Sequence, residues 1–232
     1  QDAAKLNTPN WLWDSWVKKY GAENTHKIAE MHLTEPPLDI TVKSDPVHWA
    51  QELGGTLLPT GSIRLHNAKN ITHLMGFLEG DWWVQDMAAS MPALLFGDIK
   101  DKVIIDICAA PGGKTAQLAA KGAKVVAIDK SNHRISTLKT NLNRLKLQAE
   151  CITTDAASYI PSIAPDAILL DSPCSATGTI RRHPDVVWHR KPEDIARIAA
   201  TQHKLLNHAL NILKSGGTLV YAVCSMQPEE GE

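Results

Sequence analysis

The sequence predicts an α/β fold in which a doubly wound, mostly parallel sheet follows a smaller α+β region. Two observations carry this prediction. From about residue 103 onward, short apolar runs alternate with stretches whose apolar residues recur at helical spacing, the pattern of strands joined by crossover helices. The first hundred residues lack that alternation and hold isolated strand-like runs among helical and turn segments.

In chain order, "WLWDSWVKKYG" places Trp11, Trp13 and Trp16 in helix or turn, and "PPLDITVK" and "SIRLH" read as isolated strands. Trp82 and Trp83 are also assigned to helix or turn, and "VQDMAASMPALLFG" (84–97) to a helix leading into the first strand of the sheet. Five strands are predicted at "VIID" (103–106), "KVVAID" (124–129), "ECITT" (150–154), "AILLD" (167–171) and "TLVYAVC" (218–224). After the second, Ile135, Leu138, Leu142 and Leu145 share one helix face. A longer helix from about 193 carries Ile195, Ile198, Leu205, Leu206, Leu210 and Leu213, then stops at "KSGG", where Gly216 and Gly217 accept the left-handed backbone that ends helices. Right-handed crossovers wind such strands into a doubly wound sheet. The domain boundary is predicted between residues 80 and 81, with the sheet domain at 81–232.

The 232 residues suffice for one large or two small cores, and 44% apolar with 21% charged residues is an ordinary globular composition. No apolar stretch reaches the length of a membrane span. The chain starts with Gln and stops about eight residues past the fifth strand, so a missing upstream piece and a shortened C-terminus are expected. Cys108, Cys151, Cys174 and Cys224 are too far apart for a CxxC metal knuckle, which predicts reduced thiols, no metal and a cytoplasmic protein; a monomer is expected. A net charge of −1 leaves any nucleic acid to be held by local basic patches.

The segment "ICAAPGGKT" follows the first sheet strand. A P-loop would need glycine at 108, where Cys stands, and the two adjacent glycines do not fit GxGxxG. A strand, a tight glycine turn and a helix start remain, which suit a compact ligand whose carboxylate approaches backbone N–H groups. Asp129 ends the second strand, where an acidic side chain accepts both ribose hydroxyls, so the predicted ligand is a nucleoside without a pyrophosphate. Asp155 can accept from an adenine amino group, Asp171 ends the fourth strand facing the same crevice, and Asp106 ends the first. Any one of these aspartates is an ordinary turn residue; four in register with a glycine loop point to S-adenosylmethionine. Its predicted contacts are Cys108, Ala109, Ala110, Pro111, Gly112, Gly113, Lys114, Asp129, Arg134, Asp155 and Asp171.

"DICAAPGGKTAQLA", "AIDKS", "DSPCSATGTIRRHPDVVW" and "YAVCSMQPEEGE" resemble the successive motifs of the Sun/RsmB (Fmu) family of RNA cytosine-5 methyltransferases, bacterial RsmB-like members above all. "VQDMAASMPALL" is similar to a helix of that family, and the N-terminal "WLWDSWVKKYG" and "PPLDITVK" extend the likeness over nearly the whole chain. The resemblance implies a Rossmann-like methyltransferase sheet that binds S-adenosylmethionine, an RNA-binding type of domain at 1–80, and a ribosomal RNA substrate. It puts the glycine loop along the methionine moiety, Asp129 on the ribose, Asp155 near the adenine, and Asp171 and Lys114 beside the target cytosine. Ser172, Ala176 and Gly231 depart from the family pattern, which bears on the subfamily more than on the chemistry.

Carbon 5 of cytosine is a poor nucleophile until a thiolate adds to carbon 6, so the reaction needs a thiolate, a proton donor near N3 and a base. Cys174 and Cys224 both stand at predicted strand ends. Chemistry does not choose between them. The Pro-Cys pair at Pro173 selects Cys174 by analogy with cytosine-5 DNA methyltransferases, whereas the resemblance assigns attack to Cys224 and product release to Cys174. A free cysteine is otherwise a small buried residue, the assignment given to Cys151 and to the thiol of Cys108.

"TIRRHPDVVWHRK" mixes Arg181, Arg182, His183, Arg190 and Lys191 with Trp188, the composition that grips phosphates and stacks on bases. Arg181, Arg182 and Trp188 are the predicted RNA contacts; Lys18, Lys19, Arg64 and Lys69 form a more diffuse basic set. The predicted activity is therefore methyl transfer from S-adenosylmethionine to carbon 5 of an RNA cytosine through a cysteine adduct. The alternatives are a non-catalytic RNA-binding or ribosome-assembly factor of the same fold, or a methyltransferase for another substrate class.

Overall fold

Aliphatic runs become strands and amphipathic stretches become helices in the computed structural model, which describes residues 2–66 and 70–231. Lys69 of the diffuse basic set lies outside the described residues. In chain order the elements are α1 (Ala3–Leu6), α2 (Asn10–Tyr20), α3 (Ala22–His32), β1 (Leu38–Val42), α4 (Pro46–Glu52), β2 (Thr56–Leu57), β3 (Ile63–Leu65), β4 (Trp82–Val84) and α5 (Met87–Leu94). They continue with β5 (Val103–Ile107), α6 (Gly113–Ala120), β6 (Lys124–Asp129), α7 (Asn132–Leu145), β7 (Glu150–Thr153), β8 (Ala167–Asp171), α8 (Val186–His189), α9 (Pro192–Ile212), β9 (Thr218–Ala222) and α10 (Pro228–Gly231).

The chain divides into two compact units, neither of them contiguous: residues 1–36, 172–204 and 222–232 form one, and residues 37–171 and 205–221 the other. The sequence boundary at 80/81 is not where this division falls. The reason is topological, because the loops after β8 and β9 pack with the N-terminal helices in the first unit, while the antiparallel strands pack within the second.

In the larger unit β7-β6-β5-β8-β9 form a sheet whose β5–β6, β6–β7 and β5–β8 pairs are parallel. Strand order reverses between β5 and β8, which places the ligand crevice of such a sheet at their carboxyl ends. Ile104, Ile105, Ile107, Ile168, Leu169 and Leu170 are fully or almost fully buried, as expected of strands covered on both faces. Ile135, Leu138, Leu142 and Leu145 are all buried along α7.

A second, antiparallel sheet has the order β2-β3-β1-β4 and a core of Ile40, Ile63, Leu65 and Trp82. Here the structure corrects the sequence expectation: Trp82 and Trp83 are strand residues, and the predicted 84–97 helix begins only at Met87. Asp86 caps it by accepting from the Ala88 N–H, so Val84 remains in the strand register opposite Ile40. Buried Asp39 takes Arg64 at 2.8 and 3.0 Å and the Met87 N–H at 3.2 Å. The Arg64 guanidinium therefore holds the fold together rather than offering itself to phosphate.

In the smaller unit the α2 side chains Leu12 and Trp16, both fully buried, pack with Ile180 and Val187.

Candidate active site

The glycine loop leaves β5 through Cys108, whose φ of +62° is unusual for a side-chain-bearing residue. Its path is fixed by backbone bonds: the Ala109 N–H donates to Ile128 at 3.0 Å and the Gly112 N–H to Ala109 at 2.9 Å. Gly112 has φ +105°, and a Cβ there would meet Leu138 Cγ at 2.9 Å. Only glycine fits, and α6 starts at the next residue with its amide N–H groups still open at the helix end.

Asp106, grouped by the sequence with the strand-end aspartates, is fully buried and accepts a 2.6 Å bond from Thr115 of α6. Burial pushes its carboxyl up to about 7, with Asp171 and Asp129 adding to the rise and Thr115 and Lys114 opposing it. Asp129 closes β6, accepts from the Ser131 N–H at 3.0 Å and pairs with Arg134 at 2.9 Å. Arg134 also donates to the Ala110 carbonyl, so one guanidinium joins the end of β6 to the glycine loop. Asp155 lies past β7, exposed, and accepts from the Ala157 N–H at 2.9 Å.

Asp171 ends β8 and receives Lys114 Nζ at 2.8 Å. These two side chains, with Trp83, Gln85, Asp86, Gly112 and Gly113, line a cavity of about 360 Å³. A larger cavity of about 760 Å³ runs along the amino-terminal halves of β5 and β6, the wrong end of the sheet for this chemistry. Gln85 is a site residue that the sequence reading passed over. Its amide accepts from the Trp83 indole at 2.9 Å and donates to Gln117 at 2.7 Å, which braces α6 from the side. The only sequence signal was the Gln-Asp pair before α5.

The two thiols belong to the smaller unit. Neither sits on a strand: β9 ends at Ala222, two residues before Cys224, and β8 ends three before Cys174. The Ser172 N–H donates to Ala222 at 2.9 Å, and the chains then splay into loops. Their sulfurs approach to 3.2 Å, too far for a disulfide and close enough for an S–H···S contact. The Cys174 thiol is driven well above the ordinary range, first by the Cys224 sulfur it faces and then by burial. Gly178 donates to the Cys224 carbonyl at 3.0 Å, and the Met226 N–H to Thr177 Oγ1 at 2.9 Å.

Cys108 and Cys151 behave as packing residues. Burial, then the neighbouring carboxylates, pushes the Cys108 thiol up to about 12, and burial also raises Cys151, which packs beside the α7 core. Among the described residues no cluster of three His, Cys, Asp or Glu could hold a metal ion, and no helix is long and apolar enough to cross a membrane.

The basic segment splits. Arg181 spends its guanidinium on the carbonyls of Glu35 at 2.6 Å and Thr34 at 3.3 Å, and Arg190 on that of Ser175 at 3.0 Å. Both brace the smaller unit. Arg182 is half-buried, while Trp188 on α8 is 69% exposed and leaves the core position to Val187.

The family described as 16S rRNA methyltransferase RsmB/F matches residues 93–232. Ribosomal RNA small subunit methyltransferase B of Proteus mirabilis (strain HI4320) is 41% identical over 96% of this chain and 56% of its own length. The protein of that name from Sodalis glossinidius (strain morsitans) is 38% identical over 99% and 56%. The chain thus spans a little over half the length of these relatives. A solved structure of a methyltransferase homolog protein from Pyrococcus horikoshii matches with a TM-score of 0.84 at 27% identity, over 99% of this chain and 77% of that one. NSun6 from Pyrococcus horikoshii with SFG shares the fold, with a TM-score of 0.84 at 21% identity over 96% of this chain and 84% of that one.

Proposed function

The chain belongs to the RsmB/F family of 16S rRNA methyltransferases, and from that premise we propose that it methylates carbon 5 of a cytosine in ribosomal RNA, using S-adenosylmethionine and a covalent bond from Cys224 to the base. The observation that carries this reading is the 3.2 Å approach of two thiols not joined by a disulfide, of which Cys174 is held protonated by the other. Methyl transfer to nitrogen or oxygen needs no such pair.

The cofactor, when bound, supplies an electrophilic methyl group. The residues suit it: Gly112, at a positive φ and packed against Leu138, makes the tight turn from which α6 begins, and Asp129 stands buried at the end of β6 for the ribose hydroxyls. The loop Cys108 to Lys114, with Arg134, Asp155 and Asp171, completes that set.

Cys224 gives up its proton to solvent while Cys174 keeps its own, and the Cys224 thiolate adds an electron pair to carbon 6. Asp171 accepts from the amino group of the cytosine or, when it carries a proton, donates to N3, and Lys114, paired with it at 2.8 Å, places positive charge beside the base. Once carbon 5 carries the methyl group, it loses its proton to a base and the carbon 6 to sulfur bond breaks. Cys174 supports that release. Exposed Trp188 stacks on a base of the RNA, and Arg182 contacts its backbone.

The test compares Cys224→Ala with Cys174→Ala in the full-length protein, scoring methyl transfer and RNA trapped on protein. Cys224→Ala is expected to abolish both, and Cys174→Ala to leave a persistent adduct. The reverse pattern would exchange the two roles, and loss of neither would overturn the covalent route.

A further inference from the structure

Glu230 lies in α10 with 3% of its surface exposed, and four donors converge on its carboxylate. Oε1 accepts from the Ser175 N–H at 2.7 Å and from Gln202 Nε2 at 3.1 Å, and Oε2 accepts from the hydroxyls of Ser175, at 2.5 Å, and Ser225. A carboxylate withdrawn from water is tolerable only with such a shell of donors. The placement of the donors is what matters: Ser175 follows Cys174 and Ser225 follows Cys224. Gln202 donates in addition to the carbonyl of Pro173, at 2.9 Å, so Cys174 is bracketed on both sides by groups bonded to one carboxylate or to its partner.

We propose that Glu230 is a positioning residue for the two thiols: by holding Ser175 and Ser225 together, it fixes Cys174 and Cys224 in the 3.2 Å register in which one thiol can donate to the other sulfur. Neighbouring side chains on an extended segment point to opposite sides, so a serine tied to the buried Glu230 next to each cysteine, Ser175 fully buried and Ser225 half-buried, turns the thiol the other way. The Ser175 and Ser225 hydroxyls lie 2.9 Å apart, and Thr177 bridges the same pair at 3.3 and 3.4 Å. The role rests on the reading of Cys174 and Cys224 as the reacting thiols. Glu230→Gln preserves it, because the amide oxygen can accept from the Ser175 N–H and Gln202 while its NH₂ donates to both hydroxyls after they rotate.

The experiment uses the full-length protein and phenylarsine oxide, which condenses with two adjacent thiols, releases water and holds poorly to a single one. Wild-type protein is expected to retain one arsenical across Cys174 and Cys224 against a monothiol competitor. Glu230→Ala is expected to lose that retention and to lower kcat by roughly 10- to 100-fold, as small misplacements of reacting groups do, with the Kd for S-adenosylmethionine unchanged. Glu230→Gln is expected to restore both. If Glu230→Ala does not fold, Ser225→Ala, which removes one arm of the link, takes its place. A folded variant of either kind with unchanged retention and kcat would overturn the inference. Wild-type protein that retains the arsenical but methylates no cytosine carbon 5 would instead overturn the reading of the reaction.

Discussion

Around the glycine loop, backbone does the positioning: Cys108 and Gly112 take left-handed dihedrals, amide N–H groups close the turn, and strand ends set where Asp129 and Asp171 fall. Around the two thiols the work passes to side chains, because both loops have already left the sheet and are joined by hydroxyls gathered on Glu230. The difference has a physical consequence. A backbone-built loop fails when a Cβ is added, whereas a side-chain link fails when a donor or acceptor is removed and its partner is left buried and unmet.

The largest expected effect tests the electrostatics beneath the glycine loop. Asp106 has its folded value raised to about 7 from 3.8, so between those pH values the folded state keeps a proton that the unfolded chain has released. Its contribution to stability therefore falls as pH rises through that window and levels off above it, on the order of 4 kcal/mol in all. Asp106→Asn should gain on the wild type by that amount between pH 4 and pH 7 in denaturant unfolding. A constant difference across that range would remove the buried carboxyl from the account.

Gly112→Ala comes next, with about 2 kcal/mol of lost stability from the positive φ and the Leu138 contact. Calorimetric titration should show S-adenosylmethionine binding weakened tenfold or more, while phenylarsine oxide retention at the thiols stays at the wild-type level. Loss of both together would erase the contrast between the regions.

Within the thiol-bearing unit, Trp188→Ala should weaken RNA binding about tenfold, the size of one lost stacking contact. Arg181→Ala should instead lower the melting temperature through its lost bonds to Thr34 and Glu35 and change RNA affinity little. Filter binding at fixed salt separates these, and equal losses of affinity would return Arg181 to the RNA surface. The smallest effect is expected from Gly178→Ala, whose new Cβ would lie 3.0 Å from the Cys224 carbonyl oxygen. Methyl transfer should slow roughly fivefold with cofactor affinity intact, and an unchanged rate would mean that the Cys224 loop gives way freely.

The sheet was legible because its strands are aliphatic runs ended by turn residues; β6 and β8 fall on the predicted residues. β4 was not, since three residues with two tryptophans carry no periodicity and their pairing with Thr41 and Val42 is made across the chain. The same holds at the site. The loop from Cys108 to Lys114 could be read because one turn and the helix start after it are consecutive in the chain. Glu230 could not, because it meets Ser175 across 55 positions, although the repeated Cys-Ser pair at 174–175 and 224–225 was a signal in plain view.

The sequence by itself determined the family, the doubly wound sheet, the glycine loop and the candidate thiols, all of which are local patterns of residue type and spacing. Only the tertiary structure decided that Asp106 is buried and Asp129 paired, that Arg64 and Arg181 serve the fold, and that one buried carboxylate joins the two cysteine loops. Charge and hydrogen-bonding capacity are written in each residue. Which partner meets them, and how far from water, is set by segments distant in the chain.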